Sequence, residues 1–307
     1  MNNWKGSGLQ VKKAINAGIF WFRNYEKEID SLNVFPVPDG DTGRNMKSTL
    51  YSVRKSLRAE NSPLASKMLS TAAVGALSGA KGCSGIIISL LFQGFSEGVG
   101  SRKTISPVDF LRGLRAASKK AWGGINNPVS GTILSVVDAV AASAEKHSRT
   151  SQSMNAAFEH ILHDARQALE KTKTQLKVLR KANVVDAGGM GLVCFLEGMA
   201  RYIAGKPLTG RPAKIKKTAA IRLAGFNSKT RYCLEFMPEC GKAGEAGLKK
   251  SLKSRGDSLI VLRDGKGIYK VHVHTNDPDG ILKSVQAGGR AFKVKVDDML
   301  KQHRNFL

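Results

Sequence analysis

The sequence is short of acid. Its 307 residues carry 24 Asp and Glu against 49 Lys and Arg, a formal charge of +25 and a pI near 10.1. Such a surface attracts polyanions: nucleic acid, anionic lipid headgroups or nucleotide phosphates. The basic residues are spread over nearly every segment, so a general bias toward Lys and Arg explains the excess as well as a nucleic-acid partner does. Cysteine is scarce too. Cys83, Cys194, Cys233 and Cys240 are too few and too scattered for a disulfide framework, which points to a reducing cytoplasm. No apolar run approaches the roughly 20 residues of a membrane span, and the opening MNNWKGSG has no signal-peptide pattern. Also missing are a GxxxxGK[ST] loop and a GxGxxG after a strand, so any nucleotide site here has to be built from helices.

What is present is ordinary apolar content, 42% of residues, in a chain long enough for two cores. Leu9, Val11, Ile15, Ile19, Phe22 and Ile29 recur at near-helical spacing and predict an amphipathic first helix. The same pattern predicts helices over about 43–57, 62–77, 84–99, 106–121, 129–144, 154–171 and 187–204. No alternating strand precedes residue 220, so residues 1–205 are expected to form an all-α domain. Prolines, glycines and a basic run mark 206–221 as a linker. Beyond it, residues 222–307 read as strands at 232–237, 258–262, 268–274 and 292–296, with helices at 244–253 and 279–286. That β-α-β-β-α-β order is the α/β ferredoxin-like pattern. Asp264-Gly265 suits a hairpin turn, and Asp277-Pro278 suits the start of the second helix.

The most informative stretch is LNVFPVPDGDTGRNM, Leu32 to Met46. Pro36 and Pro38 hold the backbone extended, Gly40 lets Asp39 and Asp41 bend toward one point, and Thr42 to Arg44 open a helix. Two carboxylates beside a helix N-terminus suit magnesium and a phosphate. The alternative is an Asp-Gly turn with an N-cap. Three glycine-bearing junctions also precede helices: SGAKGCSGIIIS with Gly82, Ser84 and Gly85, PVSGTILSV with Gly131 and Thr132, and NVVDAGGMGL with Asp186, Gly188 and Gly189. Taken singly, each is as well explained by capping or tight packing.

LNVFPVPDGDTG, GAKGCSG, PVSGTIL and VVDAGGMG, in this order and spacing, resemble the DhaL-type domain, the ATP-binding helical barrel of dihydroxyacetone kinases. The first motif is similar to the bacterial fatty acid kinase branch in particular. The resemblance implies that Asp39 and Asp41 ligate magnesium, with Asn33 a third contributor. It implies that Gly82, Cys83, Ser84 and Gly85 cover the phosphates, and that Asn45, Thr132, Asp186, Gly188 and Gly189 line the ATP site. Two residues depart from the family pattern: Cys83 stands where Asn is usual, and Ser130 where Glu is usual. A thiol at a helix N-terminus is expected either to have a depressed pKa and oxidise readily, or to be a buried small residue.

In the second domain His272 and His274 are two apart on one predicted strand and share a face, and Cys233 and Glu235 share a face on another. Spacing alone favours structural histidines over a metal site, because only Cys233, His272 and His274 stand out as ligands. The resemblance to fatty acid kinases continues through YCLEF, GDSLIVL, KVHVHTNDP and KVKVDDM, and it implies a zinc site and a dimer contact here. RNA binding is disfavoured: KGIYKVH begins like an RRM signature, yet Lys and His hold the stacking positions.

The expected function is therefore an ATP- and magnesium-dependent kinase. By resemblance it phosphorylates a fatty acid carried by a separate binding protein, giving an acyl phosphate. The fatty acid kinases continue into a third, partner-engaging domain beyond the point matching Leu307. That leaves two alternatives standing: a non-catalytic nucleotide-binding regulatory or adaptor subunit, and a dihydroxyacetone-type kinase subunit. Contact with an anionic membrane surface stays open on charge grounds.

Overall fold

The computed structural model describes residues 4–147, 153–209, 226, 228–239, 244–263 and 269–306. The first unit is helical. It contains α1 (Gly8–Phe22), a 3-10 turn (Arg23–Tyr25), α2 (Glu26–Ser31), α3 (Thr42–Arg58), α4 (Ala65–Gly79) and α5 (Gly82–Val99), then α6 (Pro107–Gly124), α7 (Ile133–His147), α8 (Met154–Gln175), α9 (Lys177–Ala182) and α10 (Ala187–Ile203). A capping box starts α1, with the Ser7 hydroxyl accepting from the Gln10 N–H and the Gln10 side chain accepting from the Ser7 N–H. Apolar faces meet in one core around Phe22, Met46, Leu50, Met68 and Phe158. Small residues let the helices close up: a Cβ on Gly198 of α10 would stand 2.6 Å from the Ala17 carbonyl oxygen of α1.

Three details differ from the sequence-based expectation. The predicted first helix is interrupted at the 3-10 turn, and the six-residue helices α2 and α9 are too short for periodicity to show them. In addition, α5 does have the length and apolar composition of a membrane span. It lies among α3, α4 and α6 with 56% of its length buried in the protein, as a core helix does.

The second unit is a four-stranded sheet with helices. Its elements are β1 (Tyr232–Pro238), α11 (Gly244–Leu252), β2 (Asp257–Arg263), β3 (Tyr269–Thr275), α12 (Pro278–Gln286), β4 (Ala291–Asp298) and α13 (Met299–Phe306). The order is β2-β3-β1-β4 with every neighbouring pair antiparallel, as the ferredoxin-like reading requires. Asp277 caps α12 through the Gly280 N–H at 2.9 Å, with Pro278 at the first helical position. Leu234, Phe236, Val271 and Val273 pack on one face against Leu248, Leu252 and Ile281 of α11 and α12. The alternate residues Cys233, Glu235, His272 and His274 therefore point to the other face. The expected Asp264-Gly265 turn and most of the expected linker lie outside the described residues.

The β2 side of that other face is covered. Ile260 and Leu262 of β2 pack into a cluster with Leu77, Ala80, Ile86 and Leu90 of the helical unit. Ile125 forms a bridge to Ile260, and Lys270 Nζ donates to the Ala80 carbonyl. The surface on which an RRM stacks bases is thus occupied by α4 and α5.

Candidate functional site

Asp39 is 8% exposed, and its carboxyl lies in hydrogen-bonding contact with that of Asp41. Asn33 Nδ2 donates to Asp39 Oδ1 at 2.6 Å and to the Val37 carbonyl at 3.1 Å, while the Thr42 hydroxyl donates to Asn33 Oδ1. The Asn33 amide thus holds the turn together from behind the carboxylates. Burial, and then the neighbouring Asp41 charge, push Asp39 well above the usual carboxylate range.

The N-cap alternative for Asp41 does not hold. Asp41 occupies the N-cap position of α3, but its side chain makes no capping bond. Asp30, at the end of α2, does that work instead: its Oδ1 accepts from the Gly43 N–H at 2.7 Å and the Arg44 N–H at 3.2 Å. Asp41 is thereby left to face the cleft. Asp30 itself is pushed up to about 7, burial outweighing the Arg44 and Gly43 contacts that lower it. A raised acid contributes stability that is fully present below its unfolded pKa near 3.8 and is lost as pH rises through 7. Asp30→Asn does not titrate, so its stability relative to the wild type is expected to improve between pH 4 and 8, by at most about 4 kcal/mol. Urea denaturation at both ends of that range checks this, and a pH-independent difference would contradict it.

A narrow cleft brings together Asn33, Asp39, Asp41, Asn45, Gly82, Cys83, Ser84, Cys233, His272 and His274. The two sites anticipated separately therefore face each other across the junction between the units. Gly82 has φ +60°, and a Cβ on it would stand 2.3 Å from Asn45 Nδ2, so the loop and Asn45 are in close contact. Cys83 lines the cleft but is not a reactive thiolate: burial, with Asp186, Asp41, Glu235 and Asp39 around it, pushes its thiol up to about 12. The expectation of a depressed pKa is corrected accordingly, because burial, and then the carboxylates around Cys83, outweigh the helix N-terminus.

The remaining anticipated residues lie outside the cleft. Asp186 caps α10 by accepting from the Gly189 N–H at 2.7 Å, and it also takes the Gly188 and Ile133 N–H groups. It is raised to about 6 by burial. Thr132 donates to the Val129 carbonyl at 2.7 Å. A Cβ on Gly188 or Gly189 would press on Ile133, Val136 and Leu169, and one on Gly85 would meet Thr49, so these three glycines serve close helix approach.

On the sheet side, the ligand atoms of Cys233, His272 and His274 lie within 4.8 Å of one another. His272 Nε2 is buried without a hydrogen-bond partner, His272 Nδ1 lies 3.6 Å from Cys233 Sγ, and His274 Nδ1 stands 3.5 Å from Asp257 Oδ1. One thiol and two buried imidazoles fit zinc, whose usual protein ligands these are. Glu235 accepts from the Gly82 N–H at 2.6 Å and stands 3.2 Å from His272 Nδ1. Burial raises it, but His272, Lys270 and the Gly82 N–H together hold it at about 2, an anion at any working pH. Two contributions were not read from sequence. Lys270 looks like one of many basic residues, and α13, a short helix of eight residues beyond the last predicted strand, sends His303 back to the Pro38 carbonyl at 2.5 Å.

A helical unit carrying paired aspartates, closed by a ferredoxin-like sheet, defines the class. The DAK2 domain matches residues 36–201, and the FakA-like middle domain of the fatty acid kinases matches residues 229–306. The chain belongs to the DAK2-domain family. It is 36% identical over 292 residues to an uncharacterized protein of Staphylococcus aureus (strain USA300), covering 91% of this chain and 53% of that one. An uncharacterized protein of Staphylococcus saprophyticus is 35% identical over 294 residues, covering 92% and 53%. The chain thus spans about half the length of these relatives. Among solved structures, the dihydroxyacetone kinase of C. freundii in its native form aligns with a TM-score of 0.47 and 14% identity, over 66% of this chain and 36% of that one.

Proposed function

We propose that the chain is the nucleotide-binding part of a phosphotransferase that transfers the γ-phosphoryl group of ATP to a fatty acid carboxylate presented by a separate binding protein, giving an acyl phosphate. The observation that carries this reading is the meeting of Asp39 and Asp41 opposite the N-terminus of α5 in one cleft. Asp39 and Asp41 would hold magnesium, and magnesium, when bound, neutralises phosphate charge. The first-turn N–H groups of α5, at Cys83 and Ser84, take phosphate oxygens, because a helix leaves them without intrahelical partners. Asn33 and Asn45 fix the carboxylate turn and the loop. An ionised carboxylate needs no base to attack phosphorus, so the protein's work is positioning and charge neutralisation. Labelled ATP, magnesium and a fatty acid loaded on such a carrier should yield labelled acyl phosphate. The absence of transfer, with nucleotide still bound, would favour a regulatory or adaptor role. Cys83 beside the phosphates supports that second reading. Transfer to dihydroxyacetone instead would move the chain to the dihydroxyacetone-kinase branch.

Zinc in the Cys233, His272 and His274 set belongs to the same proposal. Cys233→Ser is expected to lower bound zinc from about one equivalent to about a tenth or less, read by elemental analysis, because the thiolate is the soft ligand of the three. Retention of full zinc would remove the assignment. Val294 and Val296, each 43% exposed on edge strand β4, support a homodimer through this unit. ATP and reduced thiols suit a cytoplasmic location. Charge permits contact with anionic membrane surfaces, and the covered sheet face opposes an RRM-like use of RNA.

A further inference from the structure

Glu235 is in an unusual position for a carboxylate. It is 5% exposed, sits on β1, and its Oε1 reaches Gly82, 153 residues away in sequence, where it accepts the first N–H of α5 at 2.6 Å. Helices are ordinarily capped by a neighbouring Ser, Thr, Asp or Asn. Here the N-cap residue is Lys81, which makes no side-chain cap, and the acceptor comes from the other unit. The same oxygen lies 3.2 Å from His272 Nδ1. The same Nδ1 stands 3.6 Å from Cys233 Sγ, so Glu235 touches the imidazole edge that faces the donor set, while Nε2 is buried without a hydrogen-bond partner. Lys270, two residues before His272 on β3, donates to Ala80 on the other side of the same loop. Two polar ties from the sheet thus reach the segment Ala80–Gly82, and one of them is shared with a candidate zinc ligand.

We infer that Glu235 is a positioning residue that couples occupancy of the Cys233, His272 and His274 donor set to the grip of the Gly82–Gly85 loop on nucleotide phosphate. The inference rests on the nucleotide reading above. The coupling is positive because both ligands order the same carboxylate: a cation held by Cys233, His272 and His274 would fix the imidazole against which Oε1 rests, and so hold Oε1 under the Gly82 N–H. Linkage requires the reverse as well, so bound nucleotide retains zinc.

The test is calorimetric titration of magnesium and ADP into zinc-loaded protein and into protein dialysed free of zinc and returned to magnesium. The wild type is expected to bind ADP roughly 10-fold more weakly without zinc, within the usual range of coupling between sites. Glu235→Ala is expected to bind ADP weakly in both states, with the zinc factor near one. Glu235→Gln keeps an acceptor for Gly82 but loses the charge facing His272, so it should restore ADP binding in part while its zinc factor stays below about a third of the wild-type value. A purely structural Glu235 would lower stability and affinity but leave the zinc factor intact in the Gln variant, and that result overturns the coupling. The Gln variant alone decides the matter if the Ala variant does not fold. A wild type that binds ADP equally with and without zinc overturns the coupling while sparing the kinase reading. A wild type that binds no ADP in either state overturns both.

Discussion

Asp41→Ala is expected to abolish magnesium-dependent nucleotide binding and to lower phosphoryl transfer on the order of 10³-fold, since a metal ligand at a transferring phosphate carries several kcal/mol of charge stabilisation. The fold should not suffer. Asp41 makes no capping bond, and it is the neighbouring charge that helps drive Asp39 upward. Removing Asp41 therefore relieves a repulsion, and the variant is expected to melt no lower than the wild type. Thermal denaturation and calorimetric titration with magnesium and ADP measure the two halves of this prediction separately. Wild-type turnover in a folded Asp41→Ala protein would sink the assignment of the carboxylate pair. A simple Asp-Gly turn predicts the opposite pattern, with stability lost and binding unaffected.

The difference between local and long-range information explains what could be read from the sequence. LNVFPVPDGDTGRNM was legible because proline, glycine and the two acids act within a few residues of one another, and the structure brings the acids together. Cys233, His272 and His274 were legible because strand residues two apart share a face, and the β1–β3 register sets Cys233 opposite His274. What neither stretch contains is the other. The cleft exists because Ile260 and Leu262 dock the sheet onto α4 and α5, a contact set by buried area that has no local signature. Glu235 shows the same limit: its place on the face of Cys233 was readable, but its bond to Gly82 was not. The glycine junctions show a second limit. A glycine that permits close packing and one that lines a ligand read alike in sequence, and a Cβ on Gly188 or Gly189 would press on Ile133, Val136 and Leu169. Asp186, in the same motif, has its carboxylate engaged by backbone N–H groups at two helix starts.

Gly82→Ala probes the loop itself. Gly82 has φ +60°, a conformation that costs an L residue about 1–2 kcal/mol, and the new Cβ would stand 2.3 Å from Asn45 Nδ2. Asn45 is 5% exposed and lines the same cleft, so it has little room to yield. Either the loop or Asn45 must move, and the N–H groups at the start of α5 move with it. Nucleotide affinity is expected to fall at least about 10-fold, more than the loss of stability alone predicts, because misplacing donors by a fraction of an ångström weakens every bond to the phosphate. Gly123→Ala supplies the control. That glycine lies near the end of α6, where a Cβ meets nothing within 4 Å, and the substitution should add up to about 0.5 kcal/mol of stability with no change in binding. Calorimetric titration of both variants compares a glycine required by its geometry with one that is not. If Gly82→Ala binds magnesium and ADP as the wild type does, the phosphates lie elsewhere, and the junction between the two units loses its claim to be the reaction site.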